Sequence, residues 1–266
     1  METFVKARPG APPGYFRSEA AGLRWLAVPG GPRVVEVLDA GQASLTLARV
    51  PQVPATPAAA ADLGRRLAVM HDAGAPAWGA LPPGADAGFF GPLDDPLPVP
   101  GGAWDTWAEF YCEARLEPVC ALGRRRGVFD RADEAAFDAV AARLGRLAGP
   151  AADDAPARLH GDLWSGNVLW APRPGGGTQA VLIDPAAHGG HRECDLAMLA
   201  LFGAPHLAET LAAYDGAHTL APGWRERVPL HHLFPVAAHA VLFGGGYVGQ
   251  TRRLLDLLST RAAPAH

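Results

Sequence analysis

Leu159-His160-Gly161-Asp162-Leu163-Trp164-Ser165-Gly166-Asn167-Val168-Leu169-Trp170 is followed, beyond a Gly-rich turn, by Val181-Leu182-Ile183-Asp184-Pro185. Together the two pieces set one His, two Asp and one Asn around short apolar runs. Asp162 falls on a loop, where a carboxylate can reach the proton of an attacking hydroxyl within hydrogen-bond distance. Asn167, on the same loop, offers an amide oxygen. Asp184 ends an apolar strand that aims its carboxylate. Oxygen ligands of this kind suit magnesium, which keeps several waters. A base and two metal ligands in this order fit phosphoryl transfer from a nucleotide, where positioning and charge neutralisation carry most of the catalysis. His160 reads as a brace for the loop. Alone, a His-x-Asp triplet would also suit a surface turn capped by Asp and Asn; the combination carries the weight.

Working outward, 266 residues suffice for one large domain or two lobes, and 49% hydrophobic residues can bury a substantial core. A net charge of −4 with interspersed signs leaves no basic footprint for nucleic acid or for an anionic membrane. Met1-Glu2-Thr3-Phe4-Val5-Lys6 lacks a signal-peptide apolar core, and no apolar run is long enough to span a bilayer. Cys112, Cys120 and Cys194 lack metal-ligand spacing. An odd count in helical contexts favours reduced thiols and a cytoplasmic location.

Upstream of the motif, residues 3–6 read as a strand and Phe16 to Leu26 as a helix with Glu19, Leu23 and Leu26 on one face. Val34 to Leu38 and Ser44 to Val50 read as strands joined by the turn Asp39-Ala40-Gly41. Residues 1–50 thus form a small β-rich unit, Pro51 to Pro57 a connector, and residues 51–266 a larger unit. Thr56-Pro57 supplies an N-cap and a first-turn proline to a helix running to about His71. Residues 74–103, rich in Gly and Pro and without periodicity, read as a long ordered loop packed by Trp78, Phe89 and Phe90. Helix resumes near Asp105, and Pro118 is expected to break or kink it. Arg124-Arg125-Arg126 reads as a solvated helix end, and Asp133 as the cap of the next helix. Beyond the motif, helices are expected over 193–202, 205–214, 225–243 and 247–260, the third shaped by Pro229 and Pro235. His231, His232 and His239 show no zinc spacing with cysteines and read as helix residues.

His160-Gly161-Asp162-Leu163-Trp164-Ser165-Gly166-Asn167, with Ile183-Asp184-Pro185 and Gly190-His191-Arg192-Glu193-Cys194-Asp195-Leu196-Ala197-Met198, resembles the fructosamine kinase (ketosamine-3-kinase) family. That family is related to the aminoglycoside phosphotransferases within the protein-kinase-like superfamily. Trp164 and the Gly190 to Glu193 segment are what resemble the narrower family. The likeness continues in Phe4-Val5-Lys6, Ser18 to Leu23, Trp107 to Tyr111, Arg115 to Pro118, Phe243-Gly244 and Gly246-Tyr247, nearly the whole chain. It implies an α+β, two-lobed protein-kinase-like fold, with 1–50 as a partial nucleotide-binding lobe and 51–266 as the mainly helical catalytic lobe. It implies ATP and Mg²⁺ as cofactors. The acceptor it implies is a ketoamine adduct, small or protein-bound, phosphorylated on the sugar 3-hydroxyl in a deglycation repair. Lys6 would contact the α- and β-phosphates and Glu19 would be its ion-pair partner; Lys6 is the chain's only lysine and lies on a strand before the Glu19 helix. Leu47-Ala48-Arg49 would be the hinge whose backbone meets adenine. Family members often carry an acidic and an aromatic residue where Ala48 and Arg49 stand, a change that backbone contacts tolerate. Asp162 would be the base, Asn167 and Asp184 the metal ligands, and Asp195 the support of the catalytic loop. Trp164 either packs under the loop or stacks on a sugar. His188, His191 and Arg192 either face the acceptor or form a structural set.

Kinase-like small lobes open with two strands and a Gly-rich loop whose backbone N–H groups cradle phosphates. Here the candidate lysine is already residue 6. The favoured explanation is that Met1 is an internal start; the other is a natural truncation. Either leads to an expectation of weakened ATP affinity and a labile small lobe with an unpaired edge at Val5. The rival readings are a kinase of another hydroxylated small molecule such as an aminoglycoside, a metallophosphoesterase, for which further His and Asp ligands are lacking, and a pseudokinase binding module. The sequence leaves the oligomeric state open.

Overall fold

The structure, a computed structural model, describes residues 2–261. The chain opens with β1 (Thr3–Ala7) and α1 (Tyr15–Leu26). Phe16, Ala20, Leu23 and Leu26 bury one face of α1, and Glu19 goes in with them. Each fully buried Phe or Leu contributes about 1.5–3 kcal/mol, so this stripe holds the helix to the sheet beside it. Next come β2 (Arg33–Val34), β3 (Val37–Ala40) and β4 (Ser44–Ala48). β1, β4 and β3 form an antiparallel sheet in that order, with Phe4 and Val5 exposed along its edge. The single strand expected over 34–38 is two. Arg33 and Val34 leave this sheet and pair in parallel with Val181 and Leu182, and the chain rejoins it at Val37.

α2 (Pro57–Asp72) starts as its sequence predicts: the Thr56 Oγ1 accepts from the Ala59 N–H at 3.2 Å, with Pro57 in the first turn. The expected loop 74–103 contains a short antiparallel hairpin, β5 (Gly88–Phe90) and β6 (Leu97–Val99). α3 (Trp107–Tyr111) runs through a widened π turn, Cys112–Leu116, into α4 (Glu117–Arg125). Pro118 therefore does not break the helix. The change of register places it in the first turn of α4, where its missing N–H is least needed. The Ala114 carbonyl, four residues before it, accepts instead from the Arg115 guanidinium at 2.8 Å. The cap of α5 (Arg131–Ala141) is Asp130, not Asp133. Asp133 returns the bond, its carboxylate accepting from the Asp130 N–H at 2.9 Å, so the two acids form a capping box.

α6 (Leu144–Ala148) leads to β7 (Ala157–Leu159), which delivers the chain to His160. β8 (Val168–Pro172) and β9 (Thr178–Leu182) form the hairpin that carries Asn167 at one end and Asp184 just beyond the other. β10 (His188–Gly190) pairs back onto β7. α7 (Arg192–Leu201), α8 (Leu207–Ala217), α9 (Trp224–Phe243) and α10 (Gly246–Thr260) complete the chain. α9 keeps both Pro229 and Pro235 inside it. Just before Pro235 the Tyr111 hydroxyl bridges two of its backbone groups, donating to the Leu230 carbonyl at 2.9 Å and accepting from the Phe234 N–H at 3.1 Å. A side chain thus supplies partners at the turn that proline strains.

At Gly64 the backbone of α2 lies close against that of α8. A Cβ there would lie 2.1 Å from the Thr210 carbonyl oxygen, a backbone atom that cannot step aside. Gly64→Ala is expected to destabilise the protein by about 1–3 kcal/mol, the usual cost of overpacking. A chemical-denaturation midpoint equal to that of the parent would show that the two helices are not so closely packed.

Candidate active site

The catalytic loop is held from beneath by one buried carboxylate. Asp195, in the first turn of α7, accepts from the His160 N–H at 2.8 Å, the Gly161 N–H at 2.9 Å and His71 Nε2 at 3.1 Å. Burial pushes this carboxyl up, but the His71 bond and its other partners outweigh burial and hold it below the usual range. His71 Nδ1 in turn accepts from the Tyr214 hydroxyl at 2.7 Å, and Arg192 donates to that hydroxyl at 3.2 Å. Gly161 has φ +81, and a Cβ there would sit 2.2 Å from the Ala186 carbonyl oxygen, so the loop needs glycine at this point. His160 is fully buried and neutral, because burial lowers its pKa. Its Nδ1 accepts from the Asp162 N–H at 3.2 Å, and its Nε2–H donates to the Ile183 carbonyl at 2.9 Å. One imidazole thereby ties the loop to the strand end that carries Asp184.

A cleft of about 330 Å³ opens above this scaffold, lined among others by Lys6, Glu19, Asp162, Asn167, Asp184 and Trp164. The Lys6 ammonium lies 2.9 Å from both Glu19 oxygens and 3.2 Å from Asp184 Oδ1. Burial alone would lower its pKa; the Glu19 and Asp184 carboxylates outweigh burial and raise it, so it stays a cation. Asp184 adopts a left-handed backbone, φ +53, unusual for a residue other than glycine. Such conformations cost on the order of 1–3 kcal/mol and persist where surrounding structure imposes them, often at functional sites. The Asn167 amide nitrogen donates to the Asp162 carbonyl at 2.8 Å, to Asp162 Oδ2 at 3.2 Å and to the Asp184 carbonyl at 3.4 Å. All three contacts use Nδ2, which leaves the amide oxygen, beside the half-exposed Asp184 carboxylate, for a hard cation. Asp162 is raised to about 7, chiefly by burial; the Asn167 bond lowers it, and the Asp184 and Asp195 charges add to the rise.

The other residues singled out from the sequence are scattered. Trp164 lines the cleft, 39% exposed, its ring edge-on to Phe202 at 6.1 Å and covering Gly166. His188 lies behind the loop, its Nδ1–H donating to the Ala186 carbonyl at 2.8 Å, and burial lowers it to about 3. His191 and Arg192 are turned away from the cleft. His191 Nδ1 accepts from the Glu193 N–H and so caps α7, while Arg192 pairs with Asp72 at 2.9 Å. Leu47, Ala48 and Arg49 do not line the cleft. Leu47 is buried, the Ala48 N–H donates to Glu36 and the Arg49 N–H to Glu2. The sequence reading overlooked Tyr15. It lines the cleft one turn before Glu19, stacks obliquely on Phe89 at 5.2 Å, and burial pushes its phenol up to about 12. Its position four residues before Glu19, on the same helix face, is the signal that would have found it.

His191, Glu193 and His231 also cluster closely enough to hold a metal. Their valences are filled by hydrogen bonds instead: the Glu193 carboxylate takes Arg227 at 2.6 and 2.9 Å and His231 Nε2 at 3.1 Å, and a guanidinium at that distance repels a cation. Burial pushes the Glu193 carboxyl up, but its His231 and Arg227 bonds outweigh it and bring it to about 2. Burial pushes His231 down, but Cys194 and Glu193 outweigh it and bring it to about 9. The stability from Glu193 is complete above its ordinary 4.5 and is lost as pH falls toward 2. That from His231 is complete below its ordinary 6.5 and is lost as pH rises toward 9. The difference in melting temperature between the parent and Glu193→Gln should therefore be largest between pH 4.5 and 6.5 and shrink on both sides. A difference independent of pH would contradict this ionisation scheme.

The fructosamine kinase family profile matches residues 1–261. The chain belongs to the fructosamine kinase family. Among its relatives, a Synechocystis protein assigned as a probable ketoamine kinase is 36% identical over 202 residues, covering 73% of this chain. The match spans 60% of that relative's own length. A crystal structure from Thermobifida fusca, of a protein assigned as a fructosamine-3-kinase, superposes with a TM-score of 0.87 at 44% identity, covering 98% of this chain and 86% of that one. An aminoglycoside phosphotransferase solved with ADP bound superposes with a TM-score of 0.59 at 12% identity, covering 97% of this chain and 86% of the other, a likeness of fold. The fold of this fructosamine kinase family member is thus the protein-kinase-like α+β fold. No helix among its described residues is long and apolar enough to cross a membrane.

Proposed function

We propose that this family member transfers a phosphoryl group from ATP to a sugar hydroxyl of a ketoamine, such as a fructosamine or ribulosamine, in deglycation repair. The observation that carries the reading is the convergence of Lys6, Asp162, Asn167 and Asp184 on one cleft over a loop braced by Asp195. Asp162 accepts the proton of the attacking hydroxyl and orients its oxygen. Lys6, kept cationic by Glu19 and Asp184, meets the phosphates. Asn167 and Asp184 hold Mg²⁺, and the free amide oxygen and half-exposed carboxylate suit its preference for oxygen ligands. The ion supplies neutralisation of the phosphate charge. Adenine meets the backbone of the Leu47-Ala48-Arg49 segment. Trp164 offers an apolar face to the sugar. His188 steadies the loop from behind, and His191 and Arg192 anchor α7 rather than the acceptor.

The protein is read as a cytoplasmic enzyme, since its three cysteines are all free thiols. A kinase of another small hydroxylated molecule is the second reading, favoured only by the fold shared with an aminoglycoside phosphotransferase. An ADP-release screen tests both. Release should depend on Mg·ATP and on a ketoamine, and not on the unmodified amine or on an aminoglycoside. Release with aminoglycosides alone would move the assignment to the second reading. Mg·ATP binding without release on any acceptor would indicate a binding module.

A further inference from the structure

We propose that Cys194 is a nucleophilic thiol, paired with His231 as its base, which small hydroperoxides oxidise to a sulfenic acid beside the buried Arg115. Cys194 lies in the first turn of α7, partly accessible, with Sγ 3.2 Å from His231 Nδ1. His231 Nε2 faces the Glu193 carboxylate at 3.1 Å, and Arg227 fixes that carboxylate in a two-pronged pair. Since Nε2 must present its hydrogen to Glu193, Nδ1 is the nitrogen that exchanges a proton with the thiol. A nucleophile, a base and an orienting acid in hydrogen-bond series is the arrangement that activates a thiol. The helix N-terminus adds partial positive charge at the sulfur.

The second observation lies across a separate small cavity, of about 40 Å³, behind the catalytic loop. Cys194, His231, Tyr111 and Arg115 all line it. Arg115 is 97% buried, with 3% of its surface exposed. It donates to two carbonyls through Nη1, its guanidinium lies over the Phe110 ring, and no carboxylate among the described residues pairs with it. A buried guanidinium without a carboxylate partner favours negative charge developing nearby, and the cavity has room for a molecule of one or two water volumes, about the size of hydrogen peroxide. His191, stacked on His231 at 4.9 Å, is neutral, since burial lowers it to about 3, so it does not compete for the proton.

The step balances. The sulfur attacks one peroxide oxygen, an S–O bond forms as the O–O bond breaks, and the sulfur is oxidised by two electrons. The other oxygen is reduced and leaves, with the proton that His231 took from the thiol, as water from hydrogen peroxide or as the alcohol from an alkyl hydroperoxide. The sulfenic oxygen is left beside Arg115. The other two cysteines are built differently. Cys112 donates to the Glu117 carboxylate at 3.3 Å, and burial together with that carboxylate raises its pKa to about 12. Cys120 is raised by burial to about 11.

The test treats the folded chain with hydrogen peroxide, traps sulfenic acid with dimedone and follows all three cysteine-containing peptides by mass spectrometry. Cys194 should be trapped at least about tenfold faster than Cys112 or Cys120, in keeping with thiolate-controlled reactivity, and the preference should vanish in urea. His231→Gln should bring Cys194 down to the rate of the other two. Should that variant not fold, iodoacetamide labelling of the folded parent gives the same information: Cys194 should be alkylated faster than Cys112 and Cys120, and the excess should vanish in urea. Equal trapping rates at the three cysteines, or equal rates at Cys194 in the folded and unfolded chain, would overturn the proposal.

Discussion

Replacing Asp162 by Asn is expected to lower kcat by about 10²–10⁴-fold, the usual contribution of a positioned general base, while leaving the melting temperature close to that of the parent. Asn fills the same volume, and its side-chain oxygen can still accept from the Asn167 amide, which Asp162 takes at 3.2 Å. The backbone contacts of the loop are untouched, because Asp162 donates to His160 through its main-chain N–H. Only the charge and the basicity go. KM for ATP should change little, because the phosphates are assigned to Lys6 and the metal to Asn167 and Asp184. Steady-state kinetics with a ketoamine acceptor and a thermal melt of the same preparation provide the check. A variant that folds and keeps most of its turnover would remove Asp162 from the chemistry.

Asp195→Ala should act in the opposite way, on the scaffold first. The substitution strands two backbone N–H groups and a ring nitrogen, all of which now bond to this carboxylate. Each buried donor left without a partner costs about 1–3 kcal/mol, so a loss of about 3–5 kcal/mol is expected after some relaxation. That is a large share of the stability of a domain this size. The loop loses its anchor at Gly161, where the chain makes its left-handed turn, so kcat should also fall at temperatures where the protein remains folded. Urea denaturation gives the first number and kinetics well below the melting temperature the second. A stability unchanged within error would mean that the loop is held by other contacts.

What could be read from the sequence, and what could not, follows from the range of the interactions. His160, Asp162 and Asn167 are close along the chain, and local bonds such as that from the Asp162 N–H to His160 Nδ1 draw them together. Lys6 and Glu19 meet at 2.9 Å, a pairing that the family resemblance implied and that the place of Lys6 on a strand before the Glu19 helix supported. The β5–β6 hairpin was hidden because its strands are three residues each and contain Gly and Pro, too short for alternation to register. The switch of Arg33 and Val34 to another sheet is decided by two residues and a distant partner strand. Asp130 and Asp133 offer the same side chain at neighbouring positions, and only the φ and ψ of the cap tell them apart. Which way His191 and Arg192 point depends on where α7 begins and on Asp72, far away in sequence. The role of Tyr111 was likewise set by a tertiary contact, with the backbone of α9.

Phosphoryl transfer to the sugar of a ketoamine leaves a product that can be read directly. The most direct measurement is ³¹P NMR, supported by mass spectrometry, of the product formed when the folded protein is incubated with Mg·ATP and a fructosamine of a simple amine. ADP and a sugar phosphate ester should form in equal amounts, with the phosphorus coupled to the proton on carbon 3. ADP without a phosphorylated ketoamine, or a phosphate carried on the amine portion or on another molecule, would contradict that transfer.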